Sequence, residues 1–539
     1  MKRAYFIAAG MMLVGMVVSA SADAPKPDAN SDTTKSAPAK PFFTPTESTT
    51  SGSVTIEGRR IDYQAVAGTI VVHAKDYDDA PQTEKQKKAS KNPNAEASMF
   101  YVAYFKKGAT PGTRPVTFFY NGGPGSSTVW LHMGAFGPRR VVTEDHTHTP
   151  PAPYNLVNNG SSLLDATDMV FVDAPGTGFS RIAGDKKEKA FYGVDQDAHA
   201  FAKFIQAFIT KYNRWNSPKY LFGESYGTPR SAVLSNMLQS DESIDLNGII
   251  LLSQILNFDL SVDGPETNPG IDTAYEVALP TYAATAWYHH KLPGNPGSLD
   301  EVIQKAEVFA MGDYAYALAK GSSLSDKARH DIAQKLHQFT GLPIDYLLRA
   351  NLRISGGVFE KHLQQDTDTT TGRLDTRFSG PTMDPLSKES AYDPQSAAIS
   401  SAYVSAFNTY VRKTLDYGKD KTYKPEIKVF KYWDFKHKQP GQHFAFPGAT
   451  NTMPDLATAM KYNPDLKILL TGGYFDLATP FYEGWYEMHH LPIPAKLQKN
   501  IEYRYYKSGH MVYAHEDSLK KIHDDVAVFI RSTDNVKGN

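Results

Sequence analysis

Cysteine is missing from all 539 residues. Disulfides, thiolate nucleophiles and Cys-ligated zinc are therefore excluded. An excess of charge is missing too: 57 basic and 58 acidic side chains leave a formal net charge of −1. The longest basic block is Lys85-Gln-Lys-Lys88, read as a solvated loop. Nothing in the chain would neutralise a run of phosphates, so no nucleic acid partner is expected. Beyond the first residues no run of about 18 apolar residues occurs, so no membrane span is expected in the mature chain.

What is present begins at the N-terminus. Met1-Lys2-Arg3 is charged, Ala4 to Val18 is apolar, and Ala20-Ser21-Ala22 is an A-x-A site. Residues 1–22 read as a secretory signal, which implies export to a periplasm or beyond. Without a cysteine after the apolar stretch there is no lipid anchor. Residues 23–52 are rich in Ala, Pro, Ser, Thr and Asp, and read as a disordered linker. An exported chain with no disulfides must be held by its core, which this length can supply.

Ordered structure is expected from Ser53. Val54-Ile56, Arg60-Ala65 and Gly68-His73 alternate and are broken by glycine, so they read as antiparallel strands. Asp76 to Glu96 is charged and reads as a loop. Met99-Phe105 and Pro115-Tyr120 are further strands, and the second runs into Asn121-Gly122-Gly123-Pro124-Gly125-Ser126-Ser127. Asp168-Asp173 is another strand, followed by the turn-rich loop to Ser180. Phe201, Phe204, Ile205, Phe208 and Ile209 mark an amphipathic helix over Val194–Tyr212. Alternation of strand and helix continues to Ser253, which predicts a mainly parallel sheet with helices on both faces. The core's first part is thus 53–258. Residues 259–440 are mostly helical, with Leu299–Leu318, Ser325–Phe339 and Ala397–Tyr417 as examples, and read as a cap inserted over the strand ends. Alternation returns in the core's second part, 441–539.

The chemistry is concentrated in three places. Tyr220, Leu221 and Phe222 end a strand, Gly223-Glu224-Ser225-Tyr226-Gly227 follows, and Ser231 to Leu238 reads as a helix. Strand, G-x-S-x-G and helix in that order are the context of a nucleophile elbow, with Ser225 as nucleophile. In α/β-hydrolases one oxyanion N–H comes from a loop after an early strand and the other from the residue after the nucleophile. Here those are Gly123 and Tyr226. Late in the chain, Asp476 follows the strand Leu466–Thr471, and His510 follows the strand Ile501–Tyr506. Ser, Asp, His is the α/β-hydrolase order. His510 would take the serine's proton and Asp476 would orient the imidazole. Asp455 and Asp465 compete with Asp476, but both precede the strand and should lie at its wrong end. Of the 17 histidines, the pairs His289-His290 and His489-His490 read as surface or helix residues. His146 and His148 read as solvated. None has zinc-like spacing, so no metal or cofactor is expected.

Together the Asn121–Ser127 segment, Gly223–Gly227, the Asp476 segment and Ser508-Gly-His-Met511 resemble the serine carboxypeptidase family, as does the loop from Asp173 to Ser180. The likeness spans about Pro115–Ser253 and Leu466–His515. It implies an α/β-hydrolase fold with a helical insertion. It also implies that Asn121 and Glu224, with the N–H of Gly122, bind the terminal carboxylate of a peptide substrate. A glutamate can hydrogen-bond a carboxylate only if one of the two is protonated, so acid pH should favour binding. Two departures stand out. The family's usual disulfide-bonded Cys is Ser126 here, and Gly473-Tyr474-Phe475-Asp476 replaces the commoner Gly-Asp-x-Asp. Disulfide-free forms of this kind look like a bacterial branch. An esterase or acyltransferase using the same triad, and a catalytically dead binding module, are the competing readings. Oligomeric state and side-chain specificity are left open.

Overall fold

Phe118 and Phe119 are neighbours in sequence and face opposite sides of one sheet. The computed structural model describes residues 41–80 and 92–536. The expected signal at 1–22, most of the linker and the basic run Lys85–Lys88 lie outside the described residues. Among the described residues the sheet has ten strands. Nine form one path: β1 (Glu47–Ile56), β2 (Arg59–His73), β3 (Glu96–Lys106), β4 (Val116–Tyr120), β5 (Asp168–Val172), β6 (Lys219–Glu224), β7 (Gly248–Leu252), β8 (Lys467–Gly473) and β9 (Ile501–Tyr506). Their spatial order is β1-β2-β3-β5-β4-β6-β7-β8-β9, and the short strand Arg181–Ala183 pairs with β3. The first three strands are antiparallel, and β3 is antiparallel to β5. From β5 through β9 every pairing is parallel.

The parallel strands VTFFY, DMVFV and GIILL are buried at every position. Covered on both faces, they read as continuous apolar runs rather than alternating ones. The main helices are α1 (Val194–Lys211), α2 (Gly227–Ser240), α3 (Thr273–Tyr288), α4 (Leu299–Phe309), α5 (Asp326–Thr340), α6 (Pro394–Lys413), α7 (Met453–Tyr462), α8 (Phe481–His489) and α9 (Glu516–Thr533). Phe118, Leu221, Ile249 and Ile468 pack with side chains of α1, α2 and α7 on one face. Phe119, Phe222, Ile250 and Leu469 pack with α9 and the turn Leu131–Phe136 on the other. Between β7 and β8 the chain leaves the sheet, and α3 and α5 bury Tyr275, Leu279, Phe309 and Leu336 in a separate core. This is an α/β-hydrolase fold with a helix-rich insertion.

Three expectations need correcting. Ordered structure starts before Ser53, since the strand β1 begins at Glu47 inside the expected linker. Gly68 does not break a strand: β2 runs through it, paired with Glu47 on one side and Tyr101 on the other. A Cβ at Gly68 would sit 2.8 Å from the carbonyl oxygen of Thr46, so glycine there serves close backbone approach. Lastly, the insertion, mostly helical as expected, loses its last helix before the expected end at Tyr417. It contains a hairpin, Thr369–Thr371 with Ser379–Pro381, and its helices stop at Lys413. The irregular stretch that follows adds single bridges to the core, including Ser126 with Glu426 and Gly178 with Lys424.

Candidate active site

The strand β6 ends at Glu224 and α2 starts at Gly227, leaving two residues for the turn. Ser225 adopts φ +60°, a conformation that costs an L-residue about 1–2 kcal/mol. The surroundings enforce it. A Cβ at Gly223 would sit 2.2 Å from the Gly227 carbonyl oxygen, and one at Gly227 would sit 2.9 Å from the Tyr120 carbonyl oxygen. The Ser225 N–H donates to Leu252 on β7 at 3.0 Å, which pins the turn to the sheet.

The Gly-rich loop after β4 lies directly against this elbow. A Cβ at Gly122 would be 2.3 Å from the Tyr226 nitrogen. Gly123 takes φ +105°, open to glycine and closed to most other residues. Among the described residues, neither the Gly123 nor the Tyr226 N–H donates to a protein acceptor. Tyr226 also caps α2, where the helix dipole favours negative charge. Where the family resemblance leads one to expect a disulfide at Ser126, backbone bonds fasten the loop instead. Ser127 N–H donates to Pro425 at 2.8 Å and Ile427 N–H to Gly125 at 2.9 Å.

Asp476 and His510 come together from the loops after β8 and β9. Nδ1 of His510 is 2.9 Å from Oδ2 of Asp476. The same Oδ2 accepts from Thr479 Oγ1 at 2.7 Å, and Oδ1 accepts the N–H groups of Ala478 at 2.9 Å and Thr479 at 3.0 Å. Burial disfavours the imidazolium of His510, but Asp476 and, less strongly, Glu224 outweigh it and raise its pKa. Ser225 and His510 line one cavity of about 200 Å³. Among the described residues no hydrogen bond joins Ser225 Oγ to the ring, and such contacts commonly tighten only when substrate is bound.

The competing acids are engaged elsewhere. Asp455 lies in the first turn of α7 against His437 and Asn236, and Asp465 is exposed. His489 and His490 are exposed, each bonded to a carbonyl of its own helix. His289 departs from the surface reading, because its Nε2 lies 2.6 Å from the Thr376 carbonyl oxygen.

Asn121, Gly122, Gly123 and Glu224 line the same cavity as Ser225. Asn121 is fixed at both ends: its Oδ1 accepts from Leu131 N–H at 3.1 Å, and its carbonyl accepts from Arg230 at 2.8 Å. Glu224 is only 3% exposed and accepts a 2.9 Å hydrogen bond from the Tyr513 hydroxyl. Burial, helped by nearby Asp476, pushes its pKa up to about 7, against the opposing pull of His510, Tyr513 and Asn121. Tyr513, Thr479 and Arg373 belong to the site and were not singled out from sequence. Thr479 and Tyr513 each lie three residues past a triad candidate, and that proximity was the only signal. Arg373 had none.

Residues 88–276 match a family model described as serine carboxypeptidase. Over that segment the chain is similar to the serine carboxypeptidase family. A family member from Dictyostelium discoideum is 29% identical over 146 residues, covering 25% of this chain and 30% of its own length. A pheromone-processing carboxypeptidase of Candida dubliniensis is 24% identical over 169 residues, covering 30% of this chain and 23% of its own. The matched stretches therefore span less than a third of either relative. Among solved structures, a proline iminopeptidase of Mycobacterium smegmatis covers 86% of this chain and 98% of its own, at 14% identity and a TM-score of 0.36. The family segment contains Asn121, Gly122, Gly123, Glu224, Ser225 and Tyr226. Asp476 and His510 lie beyond it.

Proposed function

We propose that this protein is an exported serine carboxypeptidase that removes C-terminal residues from peptides and works best in mild acid. The supporting observation is one cavity lined by Ser225, His510, Asn121 and a buried Glu224 that protonates readily. A peptide's terminal carboxylate would lie against Asn121 and the Gly122 N–H, sharing one proton with Glu224. Ser225 Oγ then attacks the last peptide carbonyl while His510 Nε2 takes its proton. The oxyanion is held by the N–H groups of Gly123 and Tyr226. His510 passes the proton to the departing amine as the C–N bond breaks, leaving an acyl-Ser225 ester. Water gives a proton to His510 as its oxygen attacks the acyl carbonyl. The acyl C–Oγ bond then breaks, the shortened peptide leaves with a new carboxyl group, and His510 returns the proton to Ser225 Oγ. Asp476 holds the ring and stabilises the imidazolium throughout.

The pH dependence follows from charge. As pH rises through about 7, Glu224 ionises and repels the substrate carboxylate, so KM rises. A proton on Glu224 also removes one of the charges that hold a proton on His510. Both groups can therefore be in their working states at mildly acid pH.

A panel of blocked dipeptides, each with a free or amidated C-terminus, tests this between pH 4 and 8. Free-carboxylate peptides should be cleaved and their amides spared. Ser225→Ala should abolish turnover. Glu224→Gln should raise KM for peptides and flatten its pH dependence, with simple ester hydrolysis less affected. Ester hydrolysis without peptide cleavage at any pH would replace this reading with an esterase or acyltransferase on the same triad. Export is tested separately by N-terminal sequencing of the mature protein, where a retained Met1 would rule it out.

A further inference from the structure

We propose that Gly372–Phe378, the turn of the insertion's hairpin, is a strap that holds the Asp476 and His510 loops in register, with Asp375 as its central positioning residue. The inference rests on the triad reading above.

Asp476 and His510 sit on separate loops, and loops are the least stable parts of most folds. The two loops bond each other directly, Phe475 N–H to the Ser508 carbonyl at 3.0 Å, and the strap adds ties on both sides of the 2.9 Å Asp476–His510 contact. The strap does so by backbone bonds. Leu477 N–H donates to Arg373, and Thr376 N–H donates to Phe475, at 3.1 and 2.9 Å. These two bonds bracket Asp476. On the other side His510 N–H donates to Leu374 at 2.6 Å. The residue before it, Gly509, donates to Asp375 Oδ2 at 3.1 Å. A Cβ at Gly509 would sit 2.4 Å from the Asp375 Cβ, so the two segments touch without slack.

Asp375 is fully buried, and its charge is matched by Arg377, whose Nη2 lies 2.6 Å away. Arg377 reaches on to Asp145 at 3.1 Å. The strap is itself held by the end of α3: Thr285 Oγ1 lies 2.6 Å from Thr376 Oγ1, and His289 bonds the Thr376 carbonyl. Arg373 and Leu374 line the substrate cavity. One short turn thus touches substrate space on one side and both triad loops on the other. A small misplacement of catalytic groups can cost about 100-fold in rate.

The test compares wild type with Asp375→Asn, Arg377→Lys and Gly509→Ala. It uses a blocked dipeptide for kcat and KM, and a fluorophosphonate probe for the rate and final extent of Ser225 labelling. Asp375→Asn should lower kcat about 100-fold and slow labelling in parallel. KM should stay within threefold, and labelling should still go to completion. Gly509→Ala, which presses on Asp375 from the opposite side, should behave alike, and Arg377→Lys should be milder than Asp375→Asn. Full labelling at the wild-type rate, with kcat within twofold, would overturn the strap. So would a loss of kcat matched by an equal loss of labelled fraction in both Asp375→Asn and Gly509→Ala, since that reports unfolding alone. If Asp375→Asn does not fold, Gly509→Ala decides by the same two criteria. Ser225→Ala separates the two claims: if it still turns over, the triad reading fails, whatever the strap variants do.

Discussion

A Cβ on residue 122 would stand 2.3 Å from the backbone nitrogen of Tyr226 and 2.8 Å from the carbonyl oxygen of Glu224. The Gly-rich loop and the nucleophile elbow therefore meet backbone to backbone, and this contact would set the spacing of the proposed oxyanion donors, the N–H groups of Gly123 and Tyr226. Gly122→Ala must push the two loops apart. Loss of one oxyanion donor costs about 100- to 1000-fold in kcat, and Gly122→Ala should lower kcat/KM on both esters and peptides by that order. The far-UV circular dichroism should not change. A variant within threefold of wild type on an ester would show that this contact does not set the donors' positions.

Thr479 Oγ1 donates to Asp476 Oδ2 at 2.7 Å and lies 3.2 Å from His510 Nδ1. Together with the two backbone donors it spreads the charge of Asp476. Thr479→Val removes one donor, so the carboxylate should hold a proton on His510 more tightly. His510 must be neutral to act, and the acid limb of kcat/KM should therefore move to higher pH. One hydrogen bond of about 1 kcal/mol corresponds to roughly 0.7 pH unit. The measurement uses an ester without a free carboxylate, which removes the effect of Glu224 on substrate binding, and compares the variant with wild type so that its effect on His510 is common to both. An acid limb that stays in place would mean that Thr479 does not tune the pair.

Much of the site was legible in the sequence, because its motifs are backbone constraints. Gly223, Gly227 and Gly122 stand where a Cβ would collide, and such positions leave a mark in the amino-acid string. The parallel strands were legible because burial on both faces makes them apolar throughout. The strap was not. Arg373, Asp375 and Arg377 look like any charged turn, and only the fold shows that Asp375 and Arg377 are buried beside His510. The edge of the sheet is not legible in the sequence for a related reason. Strand β1 begins in a Ser/Thr-rich stretch whose first residues are exposed or half-buried, so no apolar pattern marks its start.

Glu224 should destabilise the fold in alkali. Its pKa rises from 4.5 to about 7 on folding. A carboxyl with a raised folded pKa contributes stability in full below pH 4.5, and that contribution is lost as pH rises through about 7. By pH 8 the loss is at most about 3 kcal/mol. Glu224→Gln stays neutral at every pH. Its Tm should match wild type at pH 4 and exceed it at pH 8. Equal Tm values at both pH values would mean that Glu224 ionises freely in the folded protein.

His437 should act at higher pH and through the opposite charge. It sits in the irregular stretch between α6 and α7. Its Nδ1 is 2.5 Å from Asp195 at the start of α1, and its Nε2 is 2.7 Å from Asp455 on α7. Burial alone would hold the ring neutral, but the two carboxylates outweigh it and push the pKa up to about 9. At neutral pH an imidazolium therefore bridges two acids and ties this stretch to the helices on one face of the sheet. The folded pKa lies above the ordinary 6.5, so the stabilisation is complete below pH 6.5 and is lost as pH passes about 9. The shift corresponds to at most about 3 kcal/mol. Glu224 and Asp173, both raised to about 7, have largely titrated by pH 8, and groups shared by wild type and His437→Gln cancel in the difference between their Tm curves. His437→Gln should have a lower Tm than wild type at pH 6, since it leaves Asp195 and Asp455 without their cation. The gap should narrow between pH 8 and 9.5, as wild type loses the bridge that the variant never had. Parallel Tm curves for the two proteins across that interval would show that His437 is not charged in the fold.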